Sequence, residues 1–200
     1  MVRVERNTAE TDIKLSLNLQ GKGNYDINTG IGFFDHMLEL WTRHGFFDLE
    51  LEVEGDLHVD QHHTVEDTGI VLGQAISKEL GQRKGIKRYG DVILPMDECL
   101  IITAVDLGGR SYYSSDVSFS RENVGDFPVE LFDEFFISLI GNANFNLHYK
   151  MLSGVNNHHI MEACFKGFAR ALDRAIQVET RLGDAPLSTK GRLSEGDNNC

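Results

Sequence analysis

His62-His63-Thr64-Val65-Glu66 is answered later in the chain by His158-His159-Ile160-Met161-Glu162. Each reads H-H-x-x-E, and the two lie 96 residues apart. Four of the eight histidines sit in these two pairs. On a helix, residues four apart share a face, so His62 stands over Glu66 and His158 over Glu162. The second histidine of each pair, His63 or His159, points roughly 100° around the helix, far enough to serve a neighbouring site. Neutral imidazole with carboxylate is a usual ligand set for a divalent transition metal. One such pair alone reads as a solvated helix start. Two copies at matching places in a repeated chain point to metal binding.

Working outward, the flanking segments repeat as well. In the first half, Val2 to Asn7 fits a short edge strand. Asp12 to Leu19 alternates, with Ile13, Leu15, Leu17 and Leu19 on one face, as in a half-buried strand. Gly21 to Asn24 reads as a turn. Phe33 to His44 carries Phe33, Phe34, Met37, Leu38 and Trp41 at helical spacing, and Gly45 ends it. Phe47 to Glu54 alternates again, and the first motif opens a helix to about Leu80. In the second half, Asp91 to Leu94 and Cys99 to Leu107 read as strands around a turn at Pro95. Arg110 to Asp116 is a third strand, Val129 to about Ile140 an amphipathic helix, and Phe145 to Met151 a strand. The second motif then opens a helix to about Val178.

The halves superpose in sequence. GFFDHML (32–38) falls on ELFDEFF (130–136), FFDLE (46–50) on NFNLH (144–148), and the motif helices follow at nearly the same offset. A long-range repeat of this kind indicates a duplicated unit. The expected class is α+β: two internally duplicated two-layer units, each a mixed sheet with two helices on one face, the helices packed between the halves. Residues 1–192 then form a single domain of two pseudo-symmetric halves, about 1–86 and 87–192. The polar stretch 193–200 is expected to be a disordered tail.

In this alignment His36 meets Glu134, and His148 meets Glu50. Each half keeps one extra histidine, at a different position. Six imidazoles (His36, His62, His63, His148, His158, His159) and two carboxylates (Glu66, Glu162) are therefore the candidate ligands. Divided evenly, each of two metals receives three histidines and one glutamate, with open positions for water or substrate. His44, at a helix end, reads either as a cation on the helix dipole or as a substrate contact. His58 reads as a residue supporting the motif.

Composition sets limits. The 200 residues are 41% hydrophobic and 25% charged, ordinary for a globular protein with a sizeable core. A net charge of −12 argues against nucleic acid as the main partner. It leaves room for a small anion, because bound metals and converging cations invert the local field. No apolar run approaches the roughly 20 residues that span a bilayer, so no membrane partner is expected. The first residues carry no apolar signal region. Cys99, Cys164 and Cys200 have neither metal-ligand spacing nor an even count, which suits free thiols in a reducing cytoplasm.

The chain resembles the imidazoleglycerol-phosphate dehydratase family of histidine biosynthesis. The resemblance is carried by FFDHML (33–38), HVDQHHTVED (58–67), GIKRYGD (85–91), DLGGRSY (106–112), NNHHIMEACFKGFARAL (156–172) and LSTKG (187–191). It implies an enzyme with two Mn²⁺ per active site that converts D-erythro-imidazole-glycerol phosphate to imidazole-acetol phosphate. It also implies a homo-oligomer of 24 subunits with active sites between them. Spacing alone does not select manganese.

The substrate's reacting carbon–hydrogen bond is next to no carbonyl, so its imidazole ring is the chemical handle. Two metals on the two ring nitrogens stabilise an imidazolate. The ring expels the adjacent hydroxyl to a diazafulvene-like intermediate, a base takes the neighbouring proton, and the enol becomes the ketone. The resemblance places a functional glutamate in AETDI, which makes Glu10 the candidate acid/base. It places phosphate ligands at Arg88, Arg110, Ser188, Thr189 and Lys190, with LSTKG able to close over the anion. The same resemblance puts His36, His44, His62, His63 and His158 against the substrate. A di-metal hydrolase would use similar ligands. A ferritin-like storage bundle would show E-x-x-H pairs on long helices, the reverse of the order here.

Overall fold

The structure is a computed structural model, and it describes residues 1–193. The duplication expected from sequence is present in the topology. The first half runs β1 (Val2–Asn7), β2 (Thr11–Asn18), β3 (Tyr25–Asn28), α1 (Gly32–Gly45), β4 (Asp48–Gly55), α2 (His62–Leu80). The second runs β5 (Tyr89–Met96), β6 (Cys99–Asp106), β7 (Tyr112–Ser115), a small hairpin of β8 (Asn123–Val124) and β9 (Phe127–Pro128), α3 (Leu131–Ala143), β10 (Asn146–Ser153), α4 (Asn157–Ile176). The four-stranded sheets have orders β1-β2-β4-β3 and β5-β6-β10-β7. In each, one strand pairs in parallel after a helical crossover: β3 with β4, and β7 with β10. The other pairings are antiparallel.

Period-2 burial explains why each sheet has one wet face. In β2, Ile13, Leu15 and Leu17 turn inward while Lys14 is exposed. In β10, Leu147 and Tyr149 turn inward and His148 outward. The helices cover the inner faces, α2 against β1 and β2 and α4 against β5 and β6. They then pack across the halves, α1 on α4 and α2 on α3. One buried cluster therefore runs through both halves, with Trp41, Phe47, Phe132, Phe136 and Phe168 among its largest members. The α2–α3 approach is close because α2 lacks side chains there. A Cβ on Gly69 would lie 2.7 Å from the Phe135 carbonyl oxygen, and one on Gly73 2.3 Å from that of Leu139.

Several element expectations need correction. Pro95 lies within β5, opposite Leu100, and the turn falls at Asp97 and Glu98. A proline is tolerated there because β5 is an edge strand and owes no ladder bond on its free side. β3 and the β8–β9 hairpin are too short and too exposed to show periodicity. The second half's helices are α3 from Leu131 to Ala143 and α4 ending at Ile176. Leu193, expected to open a disordered tail, is buried; residues 194–200 of that tail lie outside the described residues. Among the described residues, no helix is long and apolar enough to cross a membrane.

Candidate functional site: two donor clusters and an anion pocket

Both motifs open their helices as the spacing requires. Asp60 accepts the His62 backbone N–H at 2.8 Å. At α4, Asn156 caps the helix by accepting from the backbone N–H groups of His158 and His159. His62 Nε2 lies 3.8 Å from Glu66, and His158 Nε2 3.2 Å from Glu162.

Helix packing adds a third donor to each pair. His36 on α1 joins His158 and Glu162 on α4, and Glu134 on α3 joins His62 and Glu66 on α2; within each trio the donor atoms lie within 4.8 Å of one another. An octahedral ion with bonds of about 2.1 Å holds its donors about 3 to 4.2 Å apart, so both trios fit a divalent metal after small side-chain adjustments. The clusters are pseudo-symmetric counterparts, with Glu134 standing where the alignment set it against His36. Within one chain, five of the eight expected ligands fall in these trios, joined by Glu134. His148 projects from the outer face of the second sheet beside Tyr112, with ring centroids 5.4 Å apart. It belongs to neither trio, because its strand register turns it away from the helices. Glu134 stands opposite His36 in the repeat, but the expected set took its carboxylates only from the two motifs, as Glu66 and Glu162.

His63 and His159 also stand apart from the trios, as the 100° offset implies. His63 Nδ1 is 3.0 Å from Asp56 Oδ2, and its Nε2 is 3.8 Å from Glu10. His159 Nδ1 is 2.8 Å from Glu98, and its Nε2 3.8 Å from Asp97. In each, the carboxylate hydrogen bond at Nδ1 raises the imidazole pKa and directs Nε2 outward. Glu98 is drawn down to about 2 because the Asn156 backbone N–H, His159 and the Val155 N–H all bond it. Glu162 is pulled two ways: burial raises its pKa, while Lys166 and His158 lower it, and the net shift is downward. His44, half-buried near the end of α1, is lowered by burial and by the Lys166 charge. A helix-dipole cation would be raised instead. Its facing groups are Lys166, Glu162 and Arg170, so it neighbours the His158 cluster. A cavity of about 550 Å³ adjoins that cluster, walled by Arg121, Asn123, Asn157, His158 and His159 among others.

The second feature is an anion pocket of about 270 Å³. Arg88, Arg110, Ser188, Thr189 and Lys190 all line it, joined by Arg192, which was not among the expected phosphate ligands. Asp106 takes Arg88 Nε at 2.6 Å and Nη2 at 3.0 Å, and raises the pKa of that guanidinium. Arg88 Nη1 donates to the Leu187 carbonyl at 2.8 Å, which draws 187–191 over the pocket. Gly108 packs closely here, since a Cβ would meet Arg88 Nη2 at 2.9 Å. The two features lie at opposite ends of α4. Arg88 N–H bonds the Ala175 carbonyl, whereas His158 sits in the first turn. Seventeen residues of helix separate them by about 25 Å.

The family model for imidazoleglycerol-phosphate dehydratase matches residues 29–172. The imidazoleglycerol-phosphate dehydratase of Acetivibrio thermocellus is 52% identical over 190 residues, 95% of this chain and 97% of that protein. The enzyme so named in Lachnoclostridium phytofermentans is 53% identical over 191 residues, 96% of this chain and 97% of that one. Among solved structures, the Staphylococcus aureus imidazoleglycerol-phosphate dehydratase matches with a TM-score of 0.79 and 40% identity, over 88% of this chain and 98% of that one. The Pyrococcus furiosus enzyme, solved in complex with (S)-C348, matches with a TM-score of 0.81 and 35% identity, over 95% of this chain and 100% of that one.

Proposed function

The chain belongs to the imidazoleglycerol-phosphate dehydratase family, and on that premise we propose that it dehydrates D-erythro-imidazole-glycerol phosphate to imidazole-acetol phosphate in cytoplasmic histidine biosynthesis. The observation that carries the reading is the pairing of two His/carboxylate trios with a separate pocket of converging cations. One feature suits an imidazole ring and the other a phosphate.

His36, His158 and Glu162 would hold one divalent ion, and His62, Glu66 and Glu134 the other. Mn²⁺ is the ion the resemblance suggests. Two such ions would supply Lewis-acid stabilisation to a deprotonated substrate ring. The chain's own groups do the rest. Arg88, held in plane by Asp106, presents a fork to phosphate oxygens, while Arg110, Lys190 and the Ser188 and Thr189 hydroxyls complete the cradle. Glu10, exposed on the β1–β2 turn beside His63, takes the proton from the carbon next to the departing hydroxyl.

The 25 Å between anion pocket and His158 cluster exceeds the roughly 10 Å reach of such a substrate. One chain therefore does not bind both ends of a substrate at these two places, which favours a site completed by a second copy. The outward Nε2 atoms of His63 and His159 are free to complete a neighbour's coordination. This favours a homo-oligomer with active sites between subunits, and the resemblance suggests 24 of them.

The test is chelation followed by re-addition of metal, with ultraviolet detection of imidazole-acetol phosphate formed from the authentic substrate. Activity should vanish with chelator and return with Mn²⁺. No product from protein carrying two manganese ions per chain would overturn the proposal.

A further inference from the structure

Asp67 is the residue after Glu66, and it is buried at 5% exposure. Its Oδ2 accepts from Thr11 Oγ1 at 2.5 Å, and its Oδ1 meets Arg6 Nη2 at 2.9 Å. Arg6 and Thr11 lie on either side of the turn that carries Glu10, on β1 and β2. The turn is fixed from within as well: Thr8 Oγ1 accepts from the backbone N–H of Glu10 at 3.1 Å and of Thr11 at 3.0 Å. Asp56 N–H donates to the Glu10 carbonyl at 3.1 Å, and the Asp56 carboxylate bonds His63. The Glu10 turn is thus tied to α2, the helix that bears His62, His63 and Glu66.

The duplication supplies an internal control. Strand registers and the repeated motif set Arg6 against Leu94, Thr11 against Cys99, and Asp67 against Ala163. Gly55 and Gly154 confirm the correspondence, since a Cβ on either would strike the matched helix residue, Thr64 or Ile160. The fold therefore builds the same turn, strand and helix with an apolar trio in one half and, in the other, a polar trio of buried Asp67 and Thr11 with half-buried Arg6. Burying an ion pair is weak evidence for stability, so this polar trio asks for another reason. The turns differ in the same sense. Glu98, at the place of Glu10, is locked by three hydrogen-bond donors, whereas among the described residues the Glu10 carboxylate approaches His63 alone, at 3.8 Å.

We propose that Asp67 is a positioning residue: with Arg6 and Thr11 it clamps the Glu10 turn to α2 and sets the Glu10 carboxylate relative to the metal-bearing helix. The inference rests on the reading of Glu10 as the acid/base. A free carboxylate on an unclamped turn would sample many positions, and a displacement of about 1 Å from a reactive geometry costs a rate on the order of 100-fold.

The experiment uses the assembled, manganese-loaded full chain. Asp67→Asn should lower kcat about 10- to 100-fold, leaving KM within about twofold and metal content unchanged. Thr11→Ser, which keeps the hydroxyl, should retain kcat, and Thr11→Cys, taken from the other half, should lower it. In a Glu10→Gln background, Asp67→Asn should lower the rate no further. An undiminished kcat in Asp67→Asn overturns the clamp, as does an equal loss with and without Glu10. Rate loss that merely tracks lost metal also overturns it, by assigning Asp67 to the metal helix alone. Full activity in Glu10→Gln by itself identifies the acid/base reading as the failure and removes the proposal with it.

Discussion

Glu134 and His36 occupy matching positions, yet one is a carboxylate and the other an imidazole. The trio around Glu134 carries two negative charges, and the trio around His36 carries one. Oxygen donors suit a harder ion. We expect Glu134→Ala to lower bound Mn²⁺ from two ions per chain toward one and Glu134→His to keep both, by elemental analysis of dialysed protein. Glu98 gives a pH dependence of known sign. Its carboxyl is held at about 2, below the ordinary 4.5, by backbone N–H bonds and by His159. A depressed carboxyl stabilises the folded state above its ordinary value and stops doing so as pH falls through the lowered one. The metal-free chain should lose thermal stability between about pH 4.5 and 2, and Glu98→Gln should flatten that loss. The second motif's second histidine was legible as a separate donor from its helical offset. Its carboxylate partner was not, because the sequence pattern sets the turn at Pro95 rather than at Asp97 and Glu98.

At the scale of elements, the long helices were readable because their apolar residues recur at helical spacing over ten or more positions. Phe34, Met37, Leu38 and Trp41 all lie inside, as that spacing requires. β3 was missed because it offers one partly buried residue, Ile27, among exposed neighbours. Which helix meets which was not legible, and that pairing decides the site. α2 must reach α3 for Glu134 to join His62, and the contact depends on Gly69 and Gly73. In an isolated helix, glycine to alanine gains about 1 kcal/mol. At Gly73 the new methyl would meet the Leu139 carbonyl, so Gly73→Ala should instead cost about 1–3 kcal/mol by overpacking. Gly141, on α3 with nothing near its Cβ position, is the control, and Gly141→Ala should be neutral or stabilising. Denaturant unfolding of the two variants checks the contrast. The phosphate residues converge for a related reason: segments about 100 residues apart in sequence meet when the Leu187 carbonyl caps Arg88. Only the family resemblance could collect them beforehand.

The whole molecule exposes its two sheets differently. The outer face of the first is charged, with Arg3, Glu5, Lys14, Glu50 and Glu52. That of the second carries exposed Tyr89, Ile93, Tyr112 and Leu152. These apolar side chains, set beside exposed Asp91, His148 and Lys150, suit contact with another copy. The length of α4 supplies the stronger argument, since it holds the anion pocket and the His158 cluster about 25 Å apart within one chain. The central claim is therefore that each dehydration site is shared between chains. The most direct test is complementation. One variant loses the anion pocket (Arg88→Ala with Arg110→Ala), and the other loses both trios (His62→Ala with His158→Ala). Each alone should be inactive. The two are mixed, unfolded, refolded together with Mn²⁺ and assayed for imidazole-acetol phosphate. Shared sites predict that the mixed assembly regains a substantial fraction of activity, because intact trios of one chain meet the intact pocket of another. Mixed assemblies that form and stay as inactive as either parent would contradict the account.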